Sequence, residues 1–196
     1  MKRTFSWTST NGTWVCPANV TRIRIYGWGS GGAGGSSGTT MGGGGGGGGA
    51  YSEVILQTVV PGRTYQIQVG VRYDTEFYYG ASMYCKAVKG DNGTAGGDPD
   101  EPGSGGAGGD SSNCIGDYGY KFSGDYGNDG PTLSAQGGAA AHGGGGGGTS
   151  SHHPGYPPGG GGSGGPKSSA GGAGASGALY IDVYYDNEIL QTVVPT

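Results

Sequence analysis

Alternation of apolar and polar positions marks half-buried strands along this chain. In Thr21-Arg22-Ile23-Arg24-Ile25-Tyr26, Ile23 and Ile25 alternate with arginines. Trp14-Val15-Cys16-Pro17 precedes this segment, and Pro17 marks a turn or an edge. Residues 51–60 and 64–71 predict a β-hairpin, with Val54, Leu56 and Val60 on one face of the first arm. In the second arm Tyr65, Ile67, Val69 and Val71 alternate with Gln66 and Gln68. Val60-Pro61-Gly62-Arg63 joins the arms: Pro61 is preset for the second turn position, and Gly62 supplies the positive φ that a type II turn requires at the third. A further strand is predicted at 82–88. The last runs from Ala178 to Tyr185, with Leu179, Ile181 and Val183 on one face. No segment has a helical period. The expected fold is mainly β: a small antiparallel layer made of the N-terminal strand, the hairpin 51–71 and the C-terminal strand, with long irregular loops and essentially no α-helix.

Glycine changes this picture. There are 52 Gly in 196 residues, eight of them consecutive from Gly42 to Gly49, with further runs at 143–148 and 159–165. Fixing a backbone residue costs about 1–2 kcal/mol, and glycine loses more than most, so ordering eight of them costs on the order of 10 kcal/mol with no side chain to bury. A run of this kind is either a flexible linker or a rod packed among other glycine rods. In a polyproline-II path, with three residues per turn, every N–H and C=O points outward, and without Cβ neighbouring rods approach closely enough to hydrogen-bond. Strands lie before, between and after the runs, which favours packed polyglycine-II helices. The run 42–49 is expected to pack against 143–148 and 159–165. Residues 89–141 read as loop, with Gly-Asp-Tyr-Gly at 116–119 and again at 124–127. The expected organisation is one glycine-rich domain over 1–185, followed by a tail or exchanged strand at 186–196. Ile189-Leu190-Gln191-Thr192-Val193-Val194-Pro195 repeats residues 55–61. That identity makes Ile189, Leu190, Val193 and Val194 candidates for pairing with a neighbouring chain.

Composition narrows the function. A net charge of -4 without a Lys/Arg cluster argues against a nucleic-acid partner. No apolar run reaches the ~18 residues of a membrane span, and the N-terminus lacks an apolar run of signal length. Cys16, Cys85 and Cys114 show neither a disulfide framework nor zinc spacing. The many G-x-G-x-x-G matches lack a strand-to-helix context and carry no dinucleotide signal. Asp98, Asp100 and Glu101 read as a solvated turn rather than a calcium loop. His142, His152 and His153 form no chelating pair. With no nucleophile, base and orienting group to nominate together, neither an enzyme nor a cofactor nor a metal site is expected. Aromatic residues remain: Tyr73, Phe77, Tyr78, Tyr79, Tyr118, Tyr120, Phe122 and Tyr126, each suited to contacting a sugar or protein loop or to packing over the sheet.

Taken in order, Trp14 to Tyr26, Gly27-Trp28-Gly29-Ser30-Gly31-Gly32, the eight-glycine run leading into Tyr51-Ser52-Glu53, the Val60-Pro61-Gly62 turn, Gly80-Ala81-Ser82 and the final block ending at Tyr184 resemble the glycine-rich domain of bacteriophage tail-fibre and tail-tip proteins. The resemblance implies a non-enzymatic virion component of adhesin type. It would be assembled in the host cytoplasm and extracellular after release. Other virion proteins and a host cell-surface receptor, glycan or outer-surface protein, are its expected partners, with homo-oligomerisation and without membrane insertion. The alternative is a purely structural subunit of a virion or extracellular filament, assembled through C-terminal strand pairing.

Overall fold

A computed structural model describes residues 2–97, 101–130, 135–148, 152–166 and 168–185. The fold is mainly β, a two-sheet sandwich continued by a bundle of glycine rods. The first sheet has the order β1 (Lys2–Trp7), β9 (Ala178–Tyr184), β3 (Arg22–Trp28), β4 (Tyr51–Thr58), β8 (Lys121–Phe122). The second has the order β2 (Gly12–Val15), β5 (Thr64–Gln68), β6 (Thr75–Tyr79), β7 (Ser82–Ala87). All pairings between named strands are antiparallel. Ile23, Ile25, Leu179, Ile181 and Val183 from one sheet meet Trp14, Tyr65, Ile67 and Phe77 from the other, as the period-two pattern requires.

The expected hairpin 51–71 does not form. β4 pairs with β3 and β8, whereas β5 pairs with β2 and β6. The type II turn is present, with Gly62 at φ 74° and Arg63 N–H donating to Val60 O at 3.1 Å, but it carries the chain from one sheet to the other. Val59 N–H is captured by Thr21 O, while Gly62 N–H donates to Cys16 O and Cys16 N–H to Arg63 O. Each arm thereby finds a better partner than the other. A bulge also shifts the phase of β4: Ile25 opposes Val54 but Ile23 opposes Gln57, one residue too many on β4. Leu56 and Val60 consequently face solvent, and Val59 takes the inward place. Val71, beyond the end of β5, is exposed as well.

Beyond the sandwich the described residues form nine rods: 1 (29–37), 2 (42–50), 3 (88–97), 4 (103–109), 5 (124–130), 6 (135–141), 7 (143–148), 8 (159–165) and 9 (169–177), with a short segment at 153–158. Rods 1 and 3 continue β3 and β7, while rods 2 and 9 lead into β4 and β9. Rod 2 is the axis. Gly43, Gly46 and Gly49 donate to Gly165, Gly162 and Gly159 of rod 8. Gly44, Gly47 and Ala50 donate to Thr94, Asp91 and Val88 of rod 3, and Gly45 and Gly48 to Asn128 and Asp125 of rod 5. Rods 1, 4 and 6 donate to rod 2 in the intervening directions, from Gly32 and Gly35, from Gly106 and Gly109, and from Gly138 and Ala141. A change of neighbour with each residue and a return every third is the polyglycine-II pattern. The surrounding rods bond to each other in the closed order 1-3-4-5-6-8. Every residue from Gly42 to Ala50 is buried.

Two expectations need correction here. The run 143–148 does not touch the axis: Gly137 and Ala140 of rod 6 donate to its Gly147 and Gly144, so it lies in an outer layer. Six neighbours fill the space around one rod, and 135–141 holds the place nearest to it. Residues 89–141 are not a loop, since they contain rods 3 to 6, the 3₁₀ turn Ser111–Asn113 and β8. The segment 186–196 lies outside the described residues.

Candidate functional site

The eight aromatic candidates do not gather in one place. Phe77 is 0% exposed, stacked on Tyr65 with centroids 5.0 Å apart and tilted against Trp14; it belongs to the core and is withdrawn as a contact residue. The segment 73–79, where the sequence pattern predicts no strand, contains β6, and its alternation of buried Thr75 and Phe77 with outward Glu76 and Tyr78 is short enough to escape notice. Tyr78 is half-buried, and Tyr79 lies at the β6–β7 turn under the Arg63 guanidinium, 4.3 Å from its ring centre. Tyr73 sits at the junction of sandwich and rods, where its carbonyl accepts from the Ser30 hydroxyl at 3.0 Å. Tyr118, 99% exposed, and Tyr120 lead into β8, and Phe122 packs edge-on against His142 at 4.4 Å. Tyr126 stands alone on rod 5. Ile189, Leu190, Val193 and Val194 lie outside the described residues, as do Asp98 and Asp100.

An aromatic band on the outer face of the first sheet was not nominated from the sequence apart from its end member Phe122. Phe122, Tyr51, Trp28, Tyr180 and Tyr26 follow one another with centroid separations of 6.2, 5.1, 5.9 and 5.3 Å. Trp28 Nε1 donates to Ala141 O at 2.7 Å and ties this band to rod 6. Beside it, Arg24 Nε donates to Glu53 Oε1 at 2.7 Å and the Tyr51 hydroxyl to Glu53 Oε2 at 2.6 Å. Burial alone would push the Glu53 carboxyl up, but the Arg24 and Tyr51 hydrogen bonds more than offset it, so it sits below its ordinary value. Asp182, also buried, pairs with Lys2 at 2.9 Å and accepts from the Thr4 hydroxyl at 2.7 Å. Each carboxylate is held by protein partners, an arrangement that anchors strands to one another. The thiols of Cys16 and Cys85 are pushed up by burial to about 11 and about 12.

Among the described residues two grooves flank Tyr126, which separates them. The larger, about 600 Å³, has Ala107 and Gly108 of rod 4 as its floor. Lys89 and Asp91 of rod 3 form one wall, Ser123 and Tyr126 the other, and Asp74, Asp110 and Asn113 close the sandwich end. The smaller, about 210 Å³, runs over Gly137, Gly138 and Ala139 of rod 6, between Asp125, Tyr126 and Asn128 on one side and Gly146 on the other, with Gln136 at its rim. The threefold rods create this relief. Rod 4 presents only Ser104 and Ala107 outward, whereas rod 5 projects Asp125 and Asn128 to one side and Tyr126 and Asp129 to the other. Tyr126 is 73% exposed, yet its neighbours are fixed: Asp125 N–H donates to Ala139 O and Gly127 N–H to Gly106 O, both at 2.9 Å.

The chain carries a glycine-rich domain: a family described by that name matches residues 6–71, from the end of β1 through rods 1 and 2 to just past β5. No curated protein matches the chain.

Proposed function

We propose that this chain is a non-enzymatic component of a bacteriophage tail fibre or tail tip, binding a host-surface receptor as part of the virion. The observation that carries the reading is the all-glycine axis enclosed by six hydrogen-bonded rods. Such a body is stiff and exposes few apolar side chains. It offers outward positions at every third residue that can change without disturbing the interior, which suits a recognition element outside the cell. The order of motifs along the chain resembles that of phage tail proteins. Antibody raised against the purified chain should label the tail end of phage particles in electron micrographs, and the purified chain should compete with those particles for adsorption to host cells. Particles that carry no label, or adsorption unaffected by excess chain, would overturn the reading.

One observation favours the structural alternative. β8 covers the outer edge of β4 at Tyr51 and Ser52, Tyr120 O and Asp117 take up the main chain of Glu53 and the Ile55 N–H, and only beyond Ile55 does the edge open, with Leu56 and Val60 exposed. An exposed apolar edge of this kind accepts an added strand, and the C-terminal copy of the same heptapeptide is a natural occupant. Deleting residues 187–196 would then abolish self-assembly in sedimentation experiments; assembly that survives the deletion sinks this alternative.

A further inference from the structure

We infer that the grooves flanking Tyr126 form a binding site for a neutral saccharide, the larger groove holding the principal sugar units and the smaller one an extension of the chain. This rests on the reading of the protein as a receptor-binding component and names the receptor chemistry. The larger groove, about 600 Å³, lies within the range of small-ligand sites. Tyr126 supplies a flat face for the C–H side of a pyranose ring and a hydroxyl at its tip, and its rigid backbone minimises the entropy lost on binding. The floors hold nothing larger than alanine, so a ring can lie flat on them.

The rims supply what sugar hydroxyls need. Carboxylates of Asp91 and Asp110 accept, the amides of Asn113, Asn128 and Gln136 both donate and accept, and the Ser123 hydroxyl does either. Charge selects against anionic polymers. Lys89 is matched by Asp91 at 3.1 Å and Asp74 by Lys86 at 2.8 Å, while Asp110 accepts from Ser112 N–H and hydroxyl and forms no ion pair among the described residues. A sulfated or phosphorylated chain would therefore meet net negative charge. A protein loop would be expected to seek an apolar anchor pocket, and these floors are glycine and alanine backbone.

The test uses the full chain on an array of neutral and anionic glycans, followed by titration with whichever neutral oligosaccharide is captured. Capture of a neutral glycan, weakened at least tenfold by Tyr126→Ala but within twofold of wild type for Tyr118→Ala, is the expected result. Capture of nothing, capture of anionic glycans alone, or an unchanged affinity in Tyr126→Ala overturns the site. Adsorption to host cells separates this failure from that of the underlying function. If the chain adsorbs, and protease treatment of the cells abolishes adsorption while periodate oxidation of their vicinal diols does not, the saccharide site falls and the receptor-binding reading stands. If the chain captures the glycan but neither labels particles nor adsorbs, the saccharide site stands and the tail reading falls.

Discussion

Substituting Gly45 with alanine probes the axis of the bundle directly. A Cβ at Gly45 would lie 2.1 Å from Gln136 O, 2.6 Å from its carbonyl carbon and 3.0 Å from Gly137 N, all main-chain atoms of rod 6. Moving that oxygen from 2.1 Å to an ordinary 3.4 Å requires a shift of about 1.3 Å. Such a shift breaks the hydrogen bonds from Asn128 N–H to Gln136 O, from Gly138 N–H to Gly46 O and from Gly137 N–H to Gly147 O. At about 1–1.5 kcal/mol for each buried bond lost, the expected destabilisation is about 3–4.5 kcal/mol. The entropy that alanine removes from the unfolded chain recovers only about 0.4–1 kcal/mol. Gly145 is the control. It lies on exposed rod 7, where a Cβ would meet only a Tyr156 ring carbon at 4.0 Å, so Gly145→Ala should stabilise by about 0.4–1 kcal/mol. Urea denaturation followed by far-ultraviolet circular dichroism measures both. A Gly45→Ala protein within 1 kcal/mol of wild type would refute the packed axis, since a linker tolerates the change; Gly45→Val should not fold at all.

Three further outcomes follow from the sandwich. Phe77→Ala should cost about 3–5 kcal/mol in the same experiment, as for other buried aromatic truncations. Because the folded Glu53 carboxyl is held below its ordinary 4.5, its contribution is complete above that value and is lost as the pH falls through the lower folded value. Stability measured from pH 6 to pH 2.5 should fall in that window, and the fall should be shallower in Glu53→Gln; an identical slope would refute the assignment. The buried Cys16, Cys85 and Cys114 should react with a thiol reagent at pH 8 only after denaturation. Rapid labelling of native protein would show that they are open to solvent.

Strands β3, β7 and β9 and the Pro61-Gly62 turn were legible because each pairs alternation with strong punctuation. β1 and β2 were not, since Phe5, Trp7 and Trp14 are too few to establish a period. Rods 3 to 5 carried a signal in a different period: Gly90, Gly93 and Gly96, then Gly103, Gly106 and Gly109, then Gly124, Gly127 and Gly130 recur every third residue. On rods 3 and 5 those glycines face the axis, and on rod 4 they face rod 3. Polar insertions at the other two positions hid the recurrence. The two Gly-Asp-Tyr-Gly copies show where local sequence stops being informative. Residues 116–119 form the turn before β8, with Gly119 at φ 85°, while 124–127 lie straight in rod 5. Only the neighbours differ: the first copy leans on β4 through Asp117, and the second is sandwiched between rods 4 and 6. The ridge formed by Tyr126 was legible as a residue but not as a site, because its grooves are made by what rods 4 and 6 lack.

The threefold register of rod 2 also constrains how such a chain can vary over time. One residue inserted between Gly44 and Gly46 would rotate everything beyond it by about 120° and hand each N–H to the wrong neighbour. Interior rods can therefore lengthen or shorten only in steps of three, and in concert with their neighbours. Outward side chains and the connections between rods escape that rule. Inheritable change is channelled to the surface, where a new ligand can be tried without renegotiating the fold.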